Sequence, residues 1–141
     1  MATAPHKELA MGRLRPETVE RADDFSHRMA DVAEELDRKR RSRRVVEQIF
    51  GAGTSVGANI YEADEAMSRA DFAKTLGIVI KELNECRYWL NFAARREWIR
   101  PDRLQLLRAE ADELERMFGA MLSRTRRKRS ASCGHAAPVN M

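Results

Sequence analysis

A chain of 141 residues with 34% charged and 43% hydrophobic side chains is the size of one domain that buries one continuous core, so no second domain is called for. Its net charge of +4 comes from basic residues among which Arg heavily outnumbers Lys; Arg suits planar, bidentate contacts to phosphate or carboxylate, although high genomic GC content produces the same bias. Cys86 and Cys133 are the only cysteines, and neither a signal peptide nor a run of about 18 apolar residues is present, which argues against a disulfide scaffold or a membrane span and predicts a soluble, reduced, cytoplasmic protein.

Residues 1–14 lack a sustained period and contain Pro5 and Gly12, which predicts a flexible leader. Pro16 then opens a helix over about 16–37, with Glu17 and Glu20 placed to favour the amide dipole and Ala22, Phe25, Met29, Val32 and Leu36 as its apolar stripe. A basic run interrupts the pattern, and Ser42 caps a second helix over about 43–65. Its seam is Val45, Ile49, Ala52, Val56, Asn59 and Ala63, broadened by Val46, Ile60 and Tyr61. Gly51, Gly53 and Gly57 lie inside it, each costing roughly 1 kcal/mol relative to Ala. A close approach by a neighbouring helix is the expected compensation.

Ser68 and Asp71 form a Ser-x-x-acid start for a third helix over about 69–97, whose seam is Phe72, Leu76, Val79, Leu83, Cys86, Leu90 and Ala93. Ile78, Ile80, Tyr88, Trp89 and Phe92 lie off that seam, which implies a second buried surface and makes Tyr88, Trp89 and Phe92 the candidate oligomer interface. Pro101 and Asp102 mark a fourth helix over about 101–125, carrying Leu104, Leu107, Ala111, Leu114, Phe118 and Met121, and residues 126–141 read as a disordered basic tail. Short connections between consecutive helices predict an all-α, antiparallel up-down-up-down four-helix bundle over residues 15–125.

In that topology the first and third turns share one end. They gather Arg38, Lys39, Arg40, Arg41, Arg43 and Arg44 with Arg95, Arg96, Arg100 and Arg103, against Asp37, Glu47, Glu97 and Asp102. The opposite end carries Glu62, Asp64, Glu65 and Asp71. The basic end, with Arg126, Arg127, Lys128 and Arg129 of the tail, is the candidate nucleic-acid-binding surface, where neutralised phosphates release counterions. Basic residues at the C-termini of the first and third helices would equally complement helix dipoles and keep the surface soluble.

Catalytic chemistry finds little support. The stretch from Gly51 to Gly57 lacks the Lys-Ser/Thr ending and the preceding strand of a phosphate-binding loop. His6, His27 and His135 are dispersed and no His or Cys pair has metal-ligand spacing, so no cofactor, metal or small-molecule substrate is expected. Cys86 reads as a core residue. Asn59 on the second seam needs partners, and Glu82, Glu85 or Asn84 on the third helix would supply a register-fixing polar contact, so Asn59, Glu82 and Glu85 form the candidate structural polar core. Glu82 and Glu85 lack the Glu-x-x-His motifs of a di-iron bundle, and a non-enzymatic protein is expected.

Three blocks carry a resemblance: Ser55-Val-Gly-Ala-Asn59-Ile60, Ser68-Arg-Ala-Asp71-Phe72, and Lys81-Glu82-Leu-Asn84-Glu85-Cys-Arg-Tyr88-Trp89-Leu90. In order and spacing they resemble the four-helix bundle protein family whose founding members are encoded in intervening sequences within bacterial large-subunit ribosomal RNA genes. The resemblance covers the second and third helices closely and the fourth by pattern. It implies a bundle that assembles into a ring-shaped homopentamer. It also implies kinship with the accessory protein of diversity-generating retroelements, a basic pentamer that associates with a reverse transcriptase and nucleic acid. The resulting expectation is a homo-oligomer, pentameric, that binds RNA or DNA backbone through Arg-rich helix ends and serves a partner such as a reverse transcriptase. The alternative is a purely structural oligomer or protein-interaction adaptor whose basic end meets an acidic protein surface.

Overall fold

The structure is a computed structural model that describes the backbone of residues 14–134 and the side chains of residues 14–127. Of the expected leader over residues 1–14, residues 1–13 lie outside the described residues, as do the last seven, 135–141. Four helices follow one another: α1 (Pro16–Arg38), α2 (Arg43–Asp64), α3 (Arg69–Arg95) and α4 (Pro101–Gly134). Each packs beside the next, and α1 and α4 approach each other less closely, so the chain folds as an antiparallel up-down-up-down bundle.

The starts follow from the sequence. Pro16 occupies the first turn of α1, where its missing N–H is not needed. Ser42 caps α2, and the Ser68 hydroxyl accepts the Asp71 N–H at 3.0 Å. The Asp71 carboxylate in turn accepts the Met67 N–H at 3.3 Å, one residue before the cap.

The expected seams of α1 and α3 are buried without exception. In α2 the buried face is rotated toward α1 and includes Gly53, Gly57 and Ile60, while Asn59 stays half-exposed. That rotation is explained by packing. A Cβ on Gly53 would overlap Met29 Cβ, and one on Gly57 would sit 2.8 Å from Ser26 Oγ. The Ser26 hydroxyl donates to the Gly53 carbonyl at 2.6 Å and accepts the Gly57 N–H at 2.8 Å, spanning one rung of the α2 ladder. The close approach expected of the glycines holds for Gly53 and Gly57 and fails for Gly51, which faces open space.

Two further expectations are corrected. Asn59 makes no hydrogen bond to Glu82, Glu85 or Asn84; its amide donates to the Ser55 carbonyl at 2.8 Å, one turn back in its own helix. The rotation of α2 carries Asn59 off the seam, so the buried polar contact between helices is the Ser26 hydroxyl on the α2 backbone. The second difference is at the end of α4, which continues through Gly134 where a disordered tail was expected from residue 126. Apolar periodicity reports burial, and its loss after Leu122 marks the end of the packed face; Arg, Lys, Ser and Ala continue a helix without it.

Both turns at the end shared by the α1–α2 and α3–α4 connections have the same construction. After α1, the Arg41 N–H bonds the Leu36 carbonyl and the Arg40 N–H bonds that of Asp37; after α3, Trp98 bonds Ala93 and Glu97 bonds Ala94. These are Schellman closures, which place one residue in the left-handed region. That residue is Arg40 (φ 57°) in one and Glu97 (φ 59°) in the other, where Gly is the usual occupant. A non-Gly residue there is strained by roughly 1–2 kcal/mol. Arg40→Gly and Glu97→Gly are each expected to stabilise the fold by about 1 kcal/mol in chemical denaturation.

Candidate nucleic-acid interface

Three contacts bring the two turns to one pole. The Lys39 ammonium donates to the Trp98 carbonyl at 2.9 Å, and Arg103 forms a two-pronged pair with Glu35 at 2.8 Å for each bond. The guanidinium of Arg41 lies 5.6 Å from the centroid of the Trp98 ring, and that of Arg96 lies 6.0 Å away. Trp98 therefore joins the loop after α1 to the loop after α3. Sequence reading passed over it; the available signal was its position two residues after the α3 C-cap, where a large apolar side chain packs back on the helix.

The basic residues of this pole divide by partner. Lys39 and Arg103 share Glu35, Arg100 is held by Asp102 at 2.8 Å, and Arg43 lies 4.0 Å from Glu47. Arg38, Arg40, Arg41, Arg44, Arg95 and Arg96 are exposed and have no carboxylate partner among the described residues. The chain thus uses part of its charge to fasten the pole and leaves six guanidinium groups without a carboxylate partner among the described residues, two of them, Arg41 and Arg96, lying against Trp98.

Helix dipoles account for some of these positions and not for others. Arg38 and Arg95 end α1 and α3, where positive charge is favourable. Arg43 and Arg44 begin α2, whose first turn contains no acid, and there the amide dipole opposes them. Arg40 occupies a backbone conformation better suited to Gly. Arg43 has Glu47 one turn on as a partner, but stability alone gives no reason for an Arg at residue 40 or 44.

Glu35 is the anchor beneath this surface. Hydrogen bonds from Arg103 and then Lys39, joined by their charges, lower its carboxyl from 4.5 to about 2 despite partial desolvation. A carboxyl depressed in the folded state adds stability that is complete above its unfolded value and disappears as pH falls through its folded value. The contribution of Glu35 is therefore lost between about pH 4.5 and pH 2. In urea titrations across that window, wild type is expected to lose stability more steeply than Glu35→Gln, which has no proton to take up there.

The remaining candidates lie elsewhere. Arg126 and Arg127 are exposed on the far end of α4, which runs away from the cationic pole, and Arg127 bonds Ser123 at 3.3 Å. The side chains of Lys128 and Arg129 lie outside the described residues. At about 1.5 Å per residue, the nine residues beyond Thr125 extend α4 by roughly 13 Å. Arg126 and Arg127 belong to the pole that carries Glu62, Glu65 and Asp71; Asp64 there is buried and accepts the Leu14 N–H at 2.9 Å.

Tyr88, Trp89 and Phe92 form a chain of ring contacts along α3, with centroids 4.9 Å apart for Tyr88–Trp89 and 5.5 Å for Trp89–Phe92, and Phe92 continues it to Trp98 at 5.6 Å. Trp89 and Phe92 are half-buried and Tyr88 is 57% exposed. Trp89 donates to Glu85 at 3.2 Å. Glu82 is raised above the usual carboxyl range by burial and then by Glu85. Cys86, fully buried, is pushed up to about 12 by burial and by the two flanking carboxylates, which leaves its thiol protonated. No cluster of three or more His, Cys, Asp or Glu side chains suited to a metal, and no helix long and apolar enough to cross a membrane, occurs among the described residues.

The fold and this pole define an up-down four-helix bundle with an Arg-rich end. The chain belongs to the 23S rRNA-intervening sequence protein family, whose profile matches residues 16–120. It is also similar to a solved structure from Bacteroides thetaiotaomicron, a protein of unknown function from the S23 ribosomal protein family. The two are 31% identical, with a TM-score of 0.71 over 74% of this chain and 97% of the other. Comparison with curated proteins gives no match.

Proposed function

We propose that the bundle is a non-enzymatic homo-oligomer, pentameric, that binds RNA or DNA backbone through its cationic pole as an accessory to a nucleic-acid-processing partner such as a reverse transcriptase. The observation that carries this reading is the set of six guanidinium groups from two turns that have no carboxylate partner among the described residues, gathered at one pole by Lys39, Arg103 and Trp98. Arg40 and Arg44 occupy positions where they oppose backbone geometry or the helix dipole, a cost that contact with a ligand would offset. Phosphate is the ligand that planar, multidentate donors of this density suit best.

The exposed Tyr88 at the end of the α3 ring cluster supplies the protomer contact in this reading. A closed ring would present several cationic poles on one rim and convert weak phosphate contacts into an avid surface. The partner and the pentamer derive from the family resemblance.

Filter binding with random-sequence RNA at two salt concentrations tests the proposal. Binding at low salt that weakens with added salt, with a slope near −0.7 for each phosphate contact on a single strand, is the expected result. No affinity at low salt leaves the adaptor reading, with an acidic protein surface at this pole. Light scattering on the same preparation tests the assembly: a ring is expected, Tyr88→Asp is expected to shift it toward smaller species, and a strict monomer excludes it.

A further inference from the structure

We propose that the cationic pole is a single-strand site in which a nucleobase stacks on Trp98 while Arg41 and Arg96 take the flanking phosphates. The inference rests on the nucleic-acid reading above and names the form of nucleic acid.

The indole is fixed before any ligand arrives. The backbone N–H of Trp98 donates to the Ala93 carbonyl at 3.0 Å and its backbone carbonyl accepts the Lys39 ammonium at 2.9 Å, while the indole ring meets Phe92 edge-on at 72°. It is half-buried, so one part packs against the bundle and the rest faces outward at the centre of the basic pole. Arg41 and Arg96 come from different turns, both lie against this ring, and neither has a carboxylate partner among the described residues.

That combination suits an unpaired base. Arg on an exposed indole is held weakly, whereas a base stacked on an aromatic side chain gains considerably more. A base can therefore take the guanidinium's place on the ring. The displaced Arg remains tethered beside it, within reach of the phosphates on either side of the stacked nucleotide. Bases in a duplex are already stacked on one another and offer this pole only phosphates. Discrimination between single and double strands then comes from Trp98, and salt dependence from the arginines. Tolerance of base identity follows, since every base has a π-face.

The test uses the full chain and a 12-nucleotide RNA, the same sequence as a duplex, and its DNA counterpart. Trp89→Phe leaves Trp98 as the sole tryptophan, and its fluorescence is expected to quench on addition of the single strand and to change little with the duplex. Trp98→Leu should lower single-strand affinity about ten- to hundredfold, leave duplex affinity within about twofold, and leave the salt slope unchanged. Trp98→Phe, which keeps a stacking face, should restore most of the loss and guards against a folding artefact in the Leu variant. Equal wild-type affinity for single strand and duplex, or quenching absent while RNA binds, overturns the stack and leaves backbone binding standing. Absence of any RNA binding by wild type overturns both. Comparison of the RNA and DNA arms tells whether the sugar is read.

Discussion

Neutralising Arg38, Arg41, Arg44, Arg95 and Arg96 with Gln, and Arg40 with Asn, is expected to reduce RNA affinity at low salt by at least about a hundredfold and to flatten its salt dependence. If all six groups contact phosphate, the slope of log affinity against log salt should fall by about 4, because each contact on a single strand releases about 0.7 of a counterion. Folding should survive. These side chains are exposed and unpaired among the described residues, and Gln is a good helix former. Replacing only Arg44 with Glu should separate stability from binding. An acid in the first turn of α2 is favoured by the dipole, so the fold should gain about 0.3–1 kcal/mol while affinity drops. A variant set that keeps full affinity and slope would place the RNA elsewhere on the molecule.

The glycines of α2 provide the largest expected effect on stability. Gly53→Ala is expected to destabilise by about 2 kcal/mol or more, since the added methyl overlaps Met29 Cβ with the Met29 Cα only 3.7 Å away, and relief requires α1 to move as a body. Gly53→Leu should prevent folding. Gly51→Ala has the opposite sign: nothing lies within 4 Å of the new methyl, so the helix gains about 1 kcal/mol of propensity. Chemical denaturation of the pair reads both changes. Destabilisation by Gly51→Ala, or stability unchanged in Gly53→Ala, would contradict the α1–α2 packing.

The bundle was legible because its seams are regular: five α1 positions and seven α3 positions, read by spacing alone, are all buried. The shared pole was legible too, since short turns between helices of similar length dictate it. Three things were not. The face α2 presents depends on Gly53 and Gly57 admitting the α1 backbone, and Ser26 looks like an ordinary polar residue at the edge of a stripe until its partners are known. Spacing alone therefore puts Asn59 on the seam, although it is half-exposed. Which arginines are consumed and which are free depends on pairs such as Arg103 with Glu35, 68 residues apart, and pairing at that range leaves no local trace. The fourth helix was cut short at Thr125 because apolar spacing stops where the core stops, although the backbone has no reason to break before Gly134.

Ultraviolet crosslinking of the wild-type chain to a 12-nucleotide RNA, followed by mass spectrometric mapping, tests most directly whether two turns form one anion-binding surface. Crosslinks from a single oligonucleotide should fall on both segments, residues 38–44 and 95–98, with Trp98 prominent among them. Crosslinks confined to one turn, or located at the opposite pole around Glu62 and Arg126, would contradict it.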